Sequence, residues 1–170
     1  MLLALAVIDV AASFGVETGI KWPNDVQVAG KKLAGVIAES KTGPDSSTGT
    51  SGSGQSSDHI SVIIGIGLNV NFNPDIATEA APHSTSLAAE LNEQVDRAVV
   101  LEALMRSLDS YYASITAGET VVPKWRDKLT TLGREVTVVG GKPGDSTNLH
   151  GVAHDVDSVG RLIVRDADGR

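Results

Sequence analysis

The sequence of 170 residues contains no cysteine. Disulfides, thiolate catalysis and zinc–thiolate sites are therefore excluded, and the absence is compatible with the cytoplasmic location that we expect. Aromatic residues make up only 4% of the chain, so its core must consist of valine, isoleucine, leucine and alanine. Positive charge is also scarce, because 14 basic residues stand against 21 acidic ones and the net charge is −7. We therefore expect neither nucleic acid nor a membrane surface as a partner.

The most apolar run, residues 1–12, is too short for a membrane span, which takes about 20 apolar residues. It contains Asp9 and has no basic residue before the apolar stretch, unlike a secretory signal. Helix-forming residues continue to position 14, apolar side chains occur on all sides of the predicted helix, and Gly15 is suited to end it. We therefore predict a buried helix over residues 1–14, in a globular protein whose hydrophobic content is 41%.

Residues 21–25 read Lys-Trp-Pro-Asn-Asp and lie between two apolar runs. Proline fixes φ, and Asn24 and Asp25 can hydrogen-bond their own backbone, so the pattern predicts a tight turn at these two residues. The turn would hold Lys21 at the end of a strand, where its ammonium group is suited to anchor a carboxylate or a phosphate. A solvated surface lysine is the alternative interpretation. We expect Trp22 to lie in the core.

Alternating residues after this turn predict short strands at 26–28 and 33–39, joined by a hairpin turn at 29–31. Gly35 interrupts the second strand, which favours the close approach of a ligand or of another backbone at that position. Lys32, at the hairpin, is interpreted as a surface residue. The pattern therefore predicts an antiparallel arrangement directly after residues 21–25.

Residues 42–58 contain almost no apolar side chain, and we interpret them as a flexible insertion between two strands. The next strand is predicted at 59–66, with a continuous buried run of Val-Ile-Ile at 62–64.

The sequence Gly-Ile-Gly-Leu-Asn-Val at 65–70 places glycine and asparagine inside an apolar strand. Such local inconsistency is typical of functional sites. Gly67 permits close backbone approach, and the Asn69 amide offers both donors and an acceptor. The stretch is not a dinucleotide-binding fingerprint, because a third glycine at the required spacing is missing.

The remaining chain is predicted to be helical first and then β-structured. A short helix is expected to end at residue 91 and a longer one to occupy residues 97–115, with Asp96 as its N-cap. From Gly133 onward the pattern changes to strands and turns. Three strands are predicted there, at 135–139, 149–155 and 161–165. Histidines are scattered without the spacing of metal ligands, so we predict no protein metal site.

The motifs at 21–25, at 32–36 (Lys-Leu-Ala-Gly-Val, followed by Glu39) and at 65–70 together resemble the biotin protein ligases, that is, the biotin–[acetyl-CoA-carboxylase] ligases. Their order and spacing agree apart from the longer insertion, and the resemblance extends over essentially the whole chain. It implies an α+β fold. Residues 1–131 would form part of a catalytic domain like that of class II aminoacyl-tRNA synthetases, a mixed sheet packed with helices. Residues 132–170 would form a small SH3-like β-barrel.

The resemblance implies an enzyme that joins biotin to ATP, forms biotinyl-5′-AMP and pyrophosphate, and transfers biotin to a lysine of a biotin carboxyl carrier domain of acetyl-CoA carboxylase or a related carboxylase. ATP, biotin and Mg²⁺ are the implied small molecules. Lys21 would contact the biotin carboxyl group and the adenylate phosphate. Gly35, Gly67 and Asn69 would line the biotin and adenylate site. Asn24 and Asp25 would position nucleotide or Mg²⁺, although both are also plain turn formers.

The sequence departs from the family at two places. The family's Gly/Arg-rich loop of the type GRGRxGR, which precedes the motif at 21–25, is not found here, and the last strand of the small barrel is also missing. We therefore expect the central-to-C-terminal part of a ligase, with an incomplete C-terminal module and little or no activity by itself. The alternative is a non-catalytic fragment or interaction module that pairs through an open sheet edge, and a homodimer is a related expectation. The paired motifs at 21–25 and 65–70 favour biotin over lipoate, whose ligases share the fold.

Overall fold

The helix at the start of the chain forms the centre of the hydrophobic core. In a computed structural model, which describes residues 1–43, 59–73, 83–139, 148–166 and 169, this helix (α1) spans Leu2–Ser13. Most of its side chains are buried on every side, as its uniformly apolar sequence predicts. Gly15 follows the helix with φ +78, the left-handed conformation that glycine adopts without steric cost.

Two antiparallel sheets and three further helices complete the described part of the chain. The first sheet has the order β1-β2-β3-β4, and the second has the order β5-β6-β7. The fold is therefore α+β with antiparallel sheets. The elements after α1 are β1 (Gly19–Lys21), β2 (Asp25–Val28), β3 (Lys31–Gly43), β4 (His59–Leu68), α2 (Leu87–Leu91), α3 (Arg97–Thr116), α4 (Val122–Arg126), β5 (Glu135–Val139), β6 (Asn148–Val156) and β7 (Leu162–Arg165).

Helix α1 lies between the first sheet and helix α3. Val26, Ala34 and Val36 point from β2 and β3 into the core cluster that contains α1. Burial of such side chains is worth about 1.5–3 kcal/mol each for the larger aliphatic residues. Helix α3 begins at the predicted cap, since the Asp96 carboxylate accepts a hydrogen bond from the Ala98 N–H at 2.8 Å. One face of the first sheet is thus covered by helices.

Three predictions about the first sheet need correction. Asp25 is the first residue of β2 and not part of the turn, because it pairs directly with Lys21. Strand β3 continues to Gly43, so an insertion cannot begin at residue 42; residues 44–58 lie outside the described residues. The expected burial of residues 62–64 is wrong: Val62, Ile63 and Ile64 are 55%, 63% and 50% exposed, because this part of β4 extends past the helices.

The second sheet is attached to the helical part by an ion pair. The guanidinium of Arg126, at the end of α4, donates to both carboxylate oxygens of Asp155 on β6, at 2.6 and 3.2 Å. Beside it the ring of Trp125 is only 2% exposed. The division of the chain into 1–131 and 132–170 stays a prediction, and this contact crosses it.

We expect the contact between Arg126 and Asp155 to be lost in acid. The hydrogen bond from Arg126 lowers the pKa of the Asp155 carboxyl below its ordinary value. A carboxyl with a depressed folded-state pKa stabilises the fold above its unfolded pKa of about 3.9, and this contribution disappears as the pH falls through the folded-state pKa. Asp155→Asn should therefore lower the Tm at pH 7, and its difference from the wild type should vanish toward pH 2.

Circular dichroism melts between pH 7 and pH 2 measure this difference. Asp127→Asn is the matched control, because Asp127 lies 3.7 Å from the same guanidinium, too far for a hydrogen bond. A Tm difference for Asp155→Asn that stays constant over this pH range would contradict the prediction.

Candidate functional site

Four of the residues singled out by the sequence form one row across the first sheet. Lys21 on β1 pairs with Asp25 on β2, Asp25 pairs with Gly35 on β3, and Gly35 pairs with Gly67 on β4. Directly opposed residues point to the same face of an antiparallel sheet. Their immediate neighbours Val26 and Ala34 face the core, so the row lies on the side that α1 does not cover. We call this side, defined by Lys21, Asp25, Gly35 and Gly67, the site face.

A β-bulge brings a second lysine to the site face. Val26 pairs with Ala34, whereas Gln27 pairs with Lys32, so Leu33 is an extra residue in β3. Both Leu33 and Ala34 are buried, at 0% and 1% exposure. Without the bulge, Lys32 would share the core-facing side with Ala34. Because Leu33 is an extra residue that also faces the core, Lys32 points to the opposite side, the same side as the row.

Lys32 contacts Asp25 directly. Its Nζ lies 2.7 Å from the Asp25 Oδ1, and the two side chains are 46% and 28% exposed. The interpretation of Lys32 as a mere hairpin surface residue is therefore incomplete, since its side chain belongs to the candidate site. The adjacent apolar pair Leu33-Ala34, just before a strand glycine, was the sequence signal that could have indicated the bulge.

The two glycines of the row differ in what surrounds them. A Cβ on Gly35 would lie 3.2 Å from both Cε and Nζ of Lys32, so this glycine makes room for the pair with Asp25. Among the described residues, a Cβ on Gly67 would meet only the Gly35 carbonyl oxygen, at 3.9 Å, so this part of the chain leaves the floor of the sheet open there. Absence of a side chain at Gly67 therefore leaves space for a ligand against the backbone.

The loop of residues 22–24 is held from several directions. The Trp22 backbone N–H donates to the Thr131 Oγ1 at 2.8 Å, and its indole N–H donates to the Gly160 carbonyl at 3.0 Å. We expected the Trp22 ring to lie in the core. It is half-buried and packs against the core cluster. The Asn24 Nδ2 donates to the Val36 carbonyl at 2.8 Å, so this amide ties the loop to β3.

Asn69 lies just beyond the end of β4 and braces the chain there. Its Nδ2 donates to the Thr85 carbonyl at 2.9 Å, and its backbone N–H donates to the Leu33 carbonyl at 2.9 Å. The structure thus brings Lys21, Asp25, Gly35 and Gly67 together in one row. It uses donors of the Asn24 and Asn69 side chains in hydrogen bonds to the backbone.

The charges on the site face suit an anion. At the row itself, Lys21 and Lys32 carry two positive charges beside the carboxylate of Asp25, within a chain whose net charge is −7. Glu39 lies on the same side of the sheet, four residues farther along β3 than Gly35. Across the ranges that the structure describes, no group of three or more His, Cys, Asp or Glu side chains is arranged to hold a metal ion. None of the helices described here has the length and hydropathy of a membrane span.

The fold and the site define an α+β protein with a helix-covered antiparallel sheet whose open face carries two lysines above a glycine floor. The chain belongs to the biotin/lipoate A/B protein ligase family, whose family model matches residues 2–56. It is 31% identical to the bifunctional ligase/repressor BirA of Bacillus subtilis, over 99% of this chain and 48% of that protein. It is 33% identical to the biotin–[acetyl-CoA-carboxylase] ligase of Mycobacterium tuberculosis, over 98% of this chain and 55% of that protein.

The chain spans about half the length of these curated relatives. Among solved structures, the biotin protein ligase of Aquifex aeolicus in complex with biotin and ATP superimposes with a TM-score of 0.75 and 23% identity. The match covers 99% of this chain and 64% of that one. At this identity the likeness shows the fold.

Proposed function

We propose that this chain carries the lysine-bearing wall of a biotin protein ligase site. The observation that supports it is the row of Lys21, Asp25, Gly35 and Gly67 on one open sheet face, with Lys32 beside it. These residues come from the three motifs by which the sequence resembles the ligases. The similarity to curated relatives that are named biotin ligases supports this proposal.

The proposed reaction has two steps. A carboxylate oxygen of biotin attacks the α-phosphorus of ATP, and the bond to pyrophosphate breaks as biotinyl-5′-AMP forms. The amine of an acceptor lysine then attacks the acyl carbon, loses its proton and releases AMP. The Lys21 ammonium orients the biotin carboxylate and stabilises the charge that develops on the α-phosphate. Lysine is suited to both roles, because charge-assisted hydrogen bonds of this kind contribute about 1.5–3 kcal/mol each.

The other site residues have supporting roles in this proposal. Gly67 and Gly35 let the biotin and adenylate approach the sheet backbone. Asn69 offers its amide oxygen to the adenylate, while its Nδ2 holds the Thr85 carbonyl. Asn24 and Asp25 position the nucleotide, and Asp25 also orients Lys32 through their ion pair.

Mg²⁺ accompanies ATP in this proposal but is not assigned to a site made by the protein. Magnesium bound with a nucleotide usually takes one or two carboxylates and the substrate phosphates. Asp25 is the carboxylate of the described row, and it is already paired with Lys32. The described residues therefore do not fit an ion held by the protein.

The wider proposal follows the resemblance. The first sheet with its helices is part of a domain like that of class II aminoacyl-tRNA synthetases, and β5–β7 belong to an SH3-like module. The acceptor is a lysine of a biotin carboxyl carrier domain of acetyl-CoA carboxylase or a related carboxylase, in the cytoplasm. The sequence contains no Gly/Arg-rich loop to add positive charge, so we infer weak or no ligation by the 170 residues alone.

The second candidate function is a non-catalytic module that binds another protein chain. The exposed apolar residues of β4 favour it. Val62, Ile63 and Ile64 are at least half exposed, and Ile37 on the neighbouring strand is 60% exposed. An apolar strand at a sheet edge is a template for pairing with another chain, including a second copy. In this function the lysines of the site face would have no ligand.

Calorimetry with biotin, in the absence and presence of ATP and Mg²⁺, tests the two candidates. For the ligase site we expect micromolar binding of biotin that becomes tighter with ATP. Sedimentation velocity of the same sample over a range of concentrations reports association. Absence of biotin binding combined with dimerisation would overturn the ligase assignment in favour of the interaction module.

A further inference from the structure

The residues on both sides of Lys21 are bound to parts of the chain far away in sequence. The Ile20 N–H donates to the Lys128 carbonyl at 2.7 Å, and the Thr130 N–H donates to the Ile20 carbonyl at 2.8 Å. On the other side, the Trp22 indole N–H donates to the Gly160 carbonyl at 3.0 Å. Gly160 lies between β6 and β7 of the second sheet. The backbone of Lys21 is thus held between residues 128–130, which follow α4, and the turn between β6 and β7.

That turn, residues 157–161, is built around one carboxylate. The Asp157 Oδ1 accepts the N–H groups of Val159 and Arg161 at 3.0 and 2.8 Å, and its Oδ2 accepts the Arg161 Nε–H at 2.6 Å. The Gly160 N–H donates to the Asp157 carbonyl at 3.0 Å. These bonds determine the direction in which the Gly160 carbonyl points.

The turn is also packed against the core. Gly160 has φ +86, and a Cβ there would lie 2.8 Å from the Met1 Cε and 3.5 Å from the Trp125 ring. A side chain at this position would be strained by the positive φ and would crowd the end of the Met1 side chain. The close fit makes the Gly160 carbonyl a firm acceptor for the indole.

We propose that Trp22 and Asp157 are positioning residues for Lys21, and that the β6–β7 turn of the second sheet holds the 22–24 loop through the bond from Trp22 to Gly160. Lysine has a long, flexible side chain, so a ligand contact of fixed geometry requires a fixed backbone beneath it. Loss of the bond would let the loop move without unfolding the core. That the turn holds the 22–24 loop does not depend on the proposed function. Only the expected effect on ligand binding rests on the proposed function.

The first experiment measures amide hydrogen exchange in the full chain without ligand. Trp22→Phe keeps an aromatic ring but removes the indole donor, and Asp157→Ala removes the acceptor that shapes the turn. We expect exchange at position 22, whose backbone N–H is bonded to Thr131, to become about fivefold faster or more in both variants, while exchange in α1 stays unchanged, because one hydrogen bond contributes about 1 kcal/mol.

Asp157→Asn is the matched control for Asp157→Ala. It retains an oxygen for the two backbone N–H groups of the turn, so exchange should stay as slow as in the wild type. Exchange in α1 serves as the internal reference for each variant. Unchanged exchange in Trp22→Phe and Asp157→Ala, or an equal acceleration in α1, would overturn the proposal.

The second experiment asks whether Trp22 acts through Lys21. In the wild-type background, Trp22→Phe should weaken binding of biotinyl-5′-AMP about fivefold. In the Lys21→Met background the same change should have less than about a twofold effect, because interacting residues are not additive. Equal effects in both backgrounds would show that Trp22 does not act through Lys21. If the wild type binds no biotinyl-5′-AMP, the proposed ligase function fails, and hydrogen exchange still decides whether the turn holds the loop.

Discussion

Lys21→Met is expected to weaken binding of biotinyl-5′-AMP by about 10- to 100-fold, because charge-assisted hydrogen bonds contribute about 1.5–3 kcal/mol. Lys21 is exposed at the end of β1 and carries no structural ion pair among those found in the described residues. The variant should therefore unfold at nearly the same temperature as the wild type. Calorimetry with biotinyl-5′-AMP measures the loss, and thermal melts check the fold.

Lys31→Met is the matched control for this variant. Lys31 is an exposed lysine on β3, and it precedes Lys32, so its side chain points away from the site face. Both variants change the net charge equally and keep a side chain of similar length. Equal losses of affinity would mean that general electrostatic attraction explains the effect, and the assignment of Lys21 would then be wrong.

Gly67→Val is expected to abolish detectable binding of biotinyl-5′-AMP while leaving the Tm equal to that of the wild type or slightly higher. The described residues leave the space above Gly67 open, so the valine side chain should meet little steric resistance in the unliganded protein. Valine also favours a strand, where glycine costs conformational entropy on folding. The branched side chain would, however, fill the floor on which the ligand is proposed to lie.

Ser61→Val serves as the control for the added bulk. Ser61 lies on the same strand and, by alternation, on the same face as Gly67, about 20 Å away along the strand. It should raise the Tm similarly and leave binding unchanged. Retention of normal affinity by Gly67→Val would show that the ligand does not occupy this part of the sheet. The two variants together separate the charge of the site face from its shape.

The sequence alone predicted several local elements of the fold. The uniformly apolar start predicted the buried helix α1, and the Asp96 cap and Gly15 marked helix ends that the structure confirms. Strand β5 has the predicted bounds, and Lys21 lies at the end of a strand as expected. These features depend on short-range backbone preferences, which neighbouring residues specify.

Errors arose where pairing between distant segments decides the outcome. The interpretation of Lys32 as a hairpin surface residue agrees with its exposure, but it does not include the ion pair with Asp25, which depends on the bulge at Leu33. The Pro-Asn-Asp pattern predicts a turn that includes Asp25, although pairing with Lys21 and Gly35 places this residue in β2. The Val-Ile-Ile run at 62–64 predicted burial, but composition does not say whether another layer covers that part of a strand.

The sequence by itself therefore determined which residue types were available for the site and in which elements they lie. Only the tertiary structure decided that Lys21, Asp25, Gly35 and Gly67 share one row, that a bulge adds Lys32 to it, and that a turn around Asp157 supports Trp22 from the second sheet. The physical reason is register: a shift of one residue between two strands moves a side chain to the opposite face, and hydrogen bonds between segments far apart in the chain determine that register.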